Sequence, residues 1–318
     1  MDSDNSLFPA GHMIFKRAKC LADLEVHAWN LDRIQLRRGA FISELDAFHT
    51  YNVQLGIVRH SIQIAVNGDV PSNAISFVVI LNDASIVQHK HTMKKHHLAV
   101  LEHGAEIDAV FVEPVSFLSV AINRKLFREQ YEGRFLEKYP IEKKFELRVC
   151  NAEILDAVKE KLMRILEAVQ IKHTFLLLPE NMIMLEKTII DEMLNLVYTS
   201  AHEHSESKWI ETAESLFKLI KLRYKQDINI ESLCRELNIS ERNAYLTFHK
   251  HYAMTPKQYL LSVRLGKIKK ILEYSDPKTT QIEHIALQHG FYHMSHFAKI
   301  YKSFFGELPS ETLWRNKY

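Results

Sequence analysis

The chain has 318 residues, room for about two domains at roughly 150 residues each. Its 47% apolar and 25% charged residues are the balance of an ordinary globular protein, and no apolar run approaches the roughly 20 residues of a membrane span. The net charge of +2 hides an uneven spread: residues 209–318 carry 17 Lys/Arg against 11 Asp/Glu, the remainder 24 against 28, so an anionic partner is expected for the C-terminal part alone.

The opening stretch, MDSDNSLFPAGHMIFKRAKC, carries acids and no apolar core segment, which argues against a secretory leader. Cys20, Cys150 and Cys234 are odd in number and far apart, so no disulfide framework is expected and a reducing cytoplasm fits. Residues 1–147 read as β-rich. Runs at 53–58, 61–66 and 75–81 are full of β-branched residues, and Asn67-Gly68-Asp69, Pro71-Ser72-Asn73 and Asn82-Asp83 read as turns between them. Further runs at 97–101 and 115–120 complete the pattern of a sandwich or small barrel. An interior lined by Val53, Leu55, Ile57, Ile62 and Phe77 either fills the core or holds a small molecule.

Between Gln88 and His97 four histidines, His89, His91, His96 and His97, fall close together. His-x-His is a metal-ligand spacing, but Lys94 and Lys95 repel a cation; a solvated strand edge and a pH-sensitive switch remain the other readings. No catalytic triad, phosphate-cradling glycine loop or activated Cys-His pair is evident, so no enzyme and no cofactor is expected.

The period then changes. Leu155, Val158, Leu162, Ile165 and Val169 mark one amphipathic helix, and Met182, Leu185, Ile189, Met193 and Leu196 a second after Pro179. Residues 148–201 therefore form a helical segment that either packs on the β domain or pairs with a second copy of the chain. Residues 202–208 are polar and read as a linker.

From 209 to 318 every element reads as a helix. Ile230, Leu233, Cys234 and Leu237 share a face; Asn238-Ile239-Ser240 breaks the helix, and Ser240 caps the next one. There Ala244 and Phe248 face inward, leaving Arg242, Asn243, Leu246, His249 and Lys250 outward, side chains suited to base edges and phosphates in a major groove. The arrangement recurs. Thr279 or Thr280 caps a helix with Ile282, Ile285, Ala286 and Leu287; Gly290 ends it; and a second helix buries Phe297, Ile300, Tyr301 and Phe304 while presenting Ser295, His296, Lys299 and Lys302. Pro256 to about Tyr274 connects the two units. Thr255 caps this connector, and Lys267, Lys269 and Lys270 add charge, with Lys267 and Lys270 expected on phosphates. Gly266 within it costs about 1 kcal/mol relative to Ala, and nothing in the sequence accounts for it.

The segment Ile285 to Phe297, with Gly290-Phe291 at its centre, followed by Tyr301 to Ser310, resembles the signature of AraC/XylS-family transcription regulators. Leu237 to Arg242, Phe248, Tyr259-Leu260 and Arg264-Leu265 match that family's first unit. The Gly290-to-Phe297 and Glu307-to-Leu313 segments are similar to the branch containing XylS and the ethanolamine-operon regulators. The resemblance implies an α+β chain: an N-terminal cupin-like barrel or sandwich that senses an effector, then an all-α domain with two helix-turn-helix units. It further implies that Arg242, Tyr245, Leu246 and His249, together with Ser295, His296 and Lys299, face DNA. Leu246 departs from the long polar residue commoner at that position, although Leu still suits a thymine methyl. Promoter DNA, RNA polymerase, a small-molecule effector of unknown identity and a second copy of the chain are the implied partners, with activation more expected than repression. An effector-independent DNA binder and a cupin-type metalloenzyme fused to a DNA-binding module are the rivals.

Overall fold

The computed structural model describes residues 10–19, 29–141, 143–202, 208–226 and 228–315. Cys20, residues 203–207 of the expected linker, and the ends at 1–9 and 316–318 lie outside the described residues. No described helix is long and apolar enough to cross a membrane.

The architecture is α+β. The first strands are β1 (Met13–Ala18), β2 (Asn30–Gln35), β3 (Ser43–His49), β4 (Val53–His60), β5 (Ile64–Asp69), β6 (Ala74–Ile80), β7 (Ile86–Gln88) and β8 (His91–Met93). β9 (His97–Leu101), β10 (Glu106–Phe111) and β11 (Val115–Asn123) follow, and α1 (Arg124–Phe135) precedes β12 (Phe145–Val149). They form two sheets of antiparallel pairs. One runs β1-β3-β4-β11-β6-β9-β12 and ends on β13 (Ala201–His202); the other runs β2-β5-β10-β7-β8. Side chains of both meet in a shared core that includes Ile64, Val66, Ile80, Ala99 and Phe111.

Two local expectations differ from what is found. Asn67-Gly68-Asp69 is not a turn but the end of β5, where Gly68 lies opposite both Leu31 and Ile107. A Cβ at Gly68 would sit 2.1 Å from the Asn30 carbonyl oxygen, so the glycine is there for close approach rather than chain reversal. Helix α1 interrupts the stretch read as β-rich. Asn123 starts it, its side-chain oxygen accepting from the amides of Lys125 and Leu126.

Helices α2 (Ala152–Ile171) and α3 (Pro179–Thr199) lay their apolar stripes on the eight-stranded sheet. Leu155, Leu162, Ile189 and Met193 pack there with Val53, Leu55 and Phe77, so the stripes are consumed by the core rather than left for a second chain. Buried Arg148 ties the end of α3 to β12, donating to the Ser200 hydroxyl at 2.7 Å and the Ser200 carbonyl at 2.8 Å. Cys150 and Cys234 are free and buried.

The helical domain comprises α4 (Lys208–Arg223), α5 (Ile230–Glu236), α6 (Glu241–Tyr252), α7 (Pro256–Tyr274), α8 (Ile282–Gln288), α9 (Met294–Phe305) and α10 (Pro309–Trp314). In the first unit Asn238 takes the left-handed conformation (φ 54°) between α5 and α6, and the Ser240 hydroxyl accepts from Asn243 N at 3.3 Å. In the second, Gly290 does the same (φ 82°) between α8 and α9. The expected threonine cap of α8 is absent. Gln281 occupies that position without a side-chain bond, because Thr279 and Thr280 are drawn into a turn whose amides donate to Asp276 O.

The outer face of the five-stranded sheet docks on the helical domain. Ile34, Leu36, Ala65 and Val110 pack with Leu216, Phe217, Tyr259 and Val263 in one buried cluster. This docking accounts for Gly266. A Cβ there would lie 2.7 Å from Ile34 Cγ2, so the connector helix gives up propensity to let β2 approach. Gly266→Ala in the full chain is therefore expected to destabilise by about 1–3 kcal/mol through overpacking. In an Ile34→Ala background the same change should instead stabilise, by up to about 1 kcal/mol. Denaturant unfolding of the four variants of this cycle measures the sign reversal; equal effects in both backgrounds would break the link.

Candidate nucleic-acid interface

Helices α6 and α9 present the outward faces that the sequence pattern predicts. On α6, Arg242, Asn243, His249 and Lys250 are exposed, Leu246 is 60% exposed and Tyr245 half-buried, while Ala244 and Phe248 are fully buried beneath them. On α9, Ser295, His296, Lys299 and Lys302 are exposed, above buried Phe297, Tyr301 and Phe304. The apolar half of each helix is thus spent on fixing its orientation, and the polar half is left to solvent. Helix α7 joins the units; its Thr255–Gln258 capping box and Pro256 define its start. Arg264 braces it from the side, donating to the Tyr224 and Gln226 carbonyls at 2.8 Å each.

The lysines of α7 are placed otherwise than expected. Lys267 and Lys270 both reach Asp32 of β2, with Nζ 2.7 Å from Oδ2 and Oδ1 respectively. Burial alone would raise the Asp32 carboxyl pKa, but the hydrogen bonds and charges of the two lysines outweigh it and hold the group below its ordinary value. Lys269 is buried, 3.4 Å from Glu307 and with its ammonium 4.5 Å from the Phe305 ring centroid. As the chain stands, Lys267 and Lys270 are occupied by protein and Lys269 faces inward.

The segments after β2 and just before β5 also reach α6 and α9. The Gln63 amide donates to Tyr252 O at 2.6 Å, and Arg37 donates to Ala253 O at the end of α6. Gly39 N donates to Phe304 O at 3.2 Å, at the end of α9. These contacts satisfy carbonyls that a helix C-terminus leaves without intrahelical partners. They hold the far ends of the two helices and leave Arg242, Asn243, Ser295 and His296, at the other ends, uncovered. Asp32, Gln63 and Arg37 were invisible in the sequence; the misplaced-looking Gly266 was the only local trace of this contact.

Between the two sheets lies a cavity of about 140 Å³. Of the two readings of the interior residues, core filling is the one found. Val53, Leu55, Ile57 and Phe77 point the other way, into the core beneath α2 and α3, and Ile62 packs in the core between the sheets. The cavity face of β4 is instead Gln54, Gly56, Val58 and His60. Strand β4 is buried toward both sides, its fully apolar face turned to the helices and its mixed face to the cavity. Leu31 and Arg33 of β2 complete this wall. Burial, partly opposed by neighbouring Asp32, pushes the Arg33 guanidinium down to about 10. Burial and then the charge of Arg33 push His60 down to about 3, so its ring is neutral at physiological pH. That ring stacks on Phe41 and Phe111 at 6.2 and 5.3 Å.

The histidine-rich stretch forms the β7–β8 hairpin and the turn after it. The rings of His89 and His91 rest on Phe145 at 5.7 and 5.5 Å, and His97 Nδ1 accepts from Lys94 N at 3.1 Å. Among the described residues no three His, Cys, Asp or Glu are grouped to hold a metal ion.

Comparison with known proteins places the helical domain. A family model described as a helix-turn-helix domain matches residues 233–315. XylDLEGF operon transcriptional activator 3 of Pseudomonas putida is 33% identical over 129 residues, covering 41% of this chain and 39% of that protein. XylDLEGF operon transcriptional activator 2 of the same organism is 35% identical over 104 residues, 33% of this chain and 66% of that one. The crystal structure of a probable AraC family transcriptional regulator from Rhodopseudomonas palustris CGA009 is 31% identical, covering 34% of this chain and 99% of that chain, at a TM-score of 0.31. The chain belongs to the AraC/XylS family. Its membership rests on the helical domain, and the chain spans about two fifths of the length of P. putida activator 3.

For an AraC/XylS DNA-binding domain, freeing two lysines on the connector has a readable consequence. Asp32→Asn is expected to tighten binding of the full chain to random-sequence duplex and to steepen the log–log salt dependence by about one to two units. Fluorescence anisotropy across a salt series measures both; an unchanged slope would mean that these ammonium groups never reach phosphate.

Proposed function

We propose that the protein is an effector-responsive transcription activator that binds double-stranded promoter DNA with both helix-turn-helix units. The observation that carries this reading is the pair of exposed polar faces on α6 and α9, each fixed by a buried aromatic core and joined by one braced helix. Activation draws support from the name of the P. putida relatives, which are transcriptional activators of an operon. Cytoplasmic location, contact with RNA polymerase and action as a homodimer belong to the same proposal. The exposed apolar residues Leu177 and Leu178 just before α3 and Ile183 and Met184 within it offer a second copy an apolar surface.

The base readers in this proposal are Arg242, Asn243, Tyr245, Leu246 and His249 on α6 and Ser295, His296 and Lys299 on α9, with Lys250 and Lys302 toward phosphates. The effector acts through β2, whose one face lines the cavity while the other holds α7. Relieving the Asp32 contact would return Lys267 and Lys270 to the DNA.

Arg242 stands in the first turn of α6, where a side chain enters the groove first. Arg242→Ala should cost about 1–3 kcal/mol on the specific site and little on random duplex. Equal losses on both, in competition binding, would assign Arg242 to the backbone instead.

Helix α7 has 19 residues and so spans about 28 Å, close to the roughly 34 Å of one turn of B-DNA. The site for one chain should hold two short base blocks about 10 base pairs apart. Inserting half a helical turn between them should abolish specific binding, and a full turn should not rescue it because the connector cannot stretch. Footprinting that shows a single protected block would leave α9 out of base reading.

A further inference from the structure

Two separate cores hold the helical domain together. The first unit buries Ala244 and Phe248 against Tyr259 and Val263 of α7. The second buries Phe297 and Tyr301 against Leu265 and Ile268 of the same helix. The change of core falls at Arg264, so the two units share a helix but not an interior. A shared helix fixes the separation of two bodies; their swing about it has to be stopped by a contact away from its axis. Arg264 supplies one. Its guanidinium donates to the Tyr224 and Gln226 carbonyls, at 2.8 Å each, in the turn between α4 and α5 of the first unit. It also lies on the turn of the second unit. A Cβ at Gly290 would stand 2.9 Å from its Nη1, 3.0 Å from Cζ and 3.2 Å from Nη2. All three distances are short, so the flat face of the guanidinium covers Gly290, and a side chain there would displace it. Gly290 thus answers two demands, the positive φ of 82° and this close approach. Beside it the rings of Tyr224 and buried His289, one from each unit, lie 5.9 Å apart. A planar guanidinium can grip carbonyls with its edge while its face packs on backbone, which an ammonium group cannot do.

We infer that Arg264 is a positioning residue for DNA recognition: by joining the α4–α5 turn to the α8–α9 turn it fixes the angle between the two reading helices, and with it the one spacing of base blocks that both can read. The inference rests on the reading that both units bind DNA, and it names what sets their geometry. One base pair added between the blocks moves the second by about 3.4 Å and turns it by about 35°. A locked junction cannot follow that displacement. A junction free to swing can follow it, but binds the right spacing more weakly, because the effective concentration of the second unit at its block falls. The loop after β2 touches both units as well, through the Ala253 and Phe304 carbonyls, but it does so from the other domain. Arg264 acts within the helical domain itself.

The test uses the full chain and a duplex that the wild-type protein selects from a random-sequence pool. Beside it stand versions one base pair longer or shorter between the blocks, and duplexes carrying each block alone. For the wild type, either change of spacing should weaken binding by about tenfold or more. Arg264→Gln should bind the selected duplex about tenfold more weakly, lose less than about threefold on a change of spacing, and hold each single block as the wild type does. Water takes over the freed carbonyls of the turn, so this variant should fold, which thermal unfolding checks. Gly290→Asn keeps Arg264 but sends a Cβ into its guanidinium, and Asn accepts a positive φ. The same flattened spacing profile is expected, and this variant decides alone if Arg264→Gln does not fold. A flat profile in the wild type, or an unchanged profile in the folded variants, would overturn the inference by placing control of the angle elsewhere. Loss of single-block binding in step with the selected duplex would also overturn it, making Arg264 a stabiliser of one unit. Selection of only one block removes two-unit reading and this inference with it, whereas selection of no sequence at all removes the regulator reading. Two selected blocks with a spacing profile indifferent to Arg264 leave the regulator standing without this residue's role.

Discussion

A strand has two faces, and in β2 both are committed. Leu31 and Arg33 look into the cavity; Asp32, Ile34 and Leu36 look out onto the helical domain. Alternation with period two makes this division unavoidable once one residue is placed. The cavity and the connector helix are consequently separated by a single layer of backbone, and anything that shifts β2 toward one changes its distance from the other. Most of the remaining architecture serves this arrangement. Gly266 admits the strand, Gly68 lets β5 press against it from the side, and the Phe217–Tyr259 cluster presses α4 and α7 onto the sheet.

The contact is mixed in kind. Buried apolar area supplies most of the attraction, at roughly 25 cal/mol for each square ångström removed from water. The Asp32 ion pairs are partly exposed and contribute less, on the order of 1 kcal/mol each once screened by solvent. They matter for placement rather than strength: the Asp32 carboxylate occupies both ammonium groups, so neither can meet another anion while β2 stays docked. An apolar contact that holds the domains together and a weak ionic contact beside it make a joint that is firm but easily biased.

The sequence spoke clearly where chemistry is local. Ser240 and Thr255 announce helix starts because a hydroxyl there accepts a backbone amide three residues on. Ala244, Phe248, Phe297 and Tyr301 announce inward faces because they recur at helical spacing, and the outward residues of α6 and α9 follow by subtraction. It was silent where meaning depends on a distant partner. Asp32 and Lys267 are 235 residues apart, and neither looks unusual among its neighbours. Strand β4, buried on both sides, left open whether Val53, Leu55 and Ile57 fill the core or line a cavity, and the fold settles on the core. Gly68 reads as a turn because close approach and chain reversal both call for glycine. Gly266 was legible as an anomaly, and only the fold supplied Ile34 as its cause.

The clamp on the reading helices has a separate implication. Gln63, Arg37 and Gly39 grip α6 and α9 by main-chain carbonyls of Tyr252, Ala253 and Phe304, not by side chains on the outward faces. Every residue supplies a carbonyl, so substitutions at Arg242, Leu246, Ser295 or Lys299 leave the grip untouched. On the proposed function, operator preference and its control are therefore free to drift independently: a descendant of this chain can change the outward residues of α6 and α9 while inheriting the same domain contact.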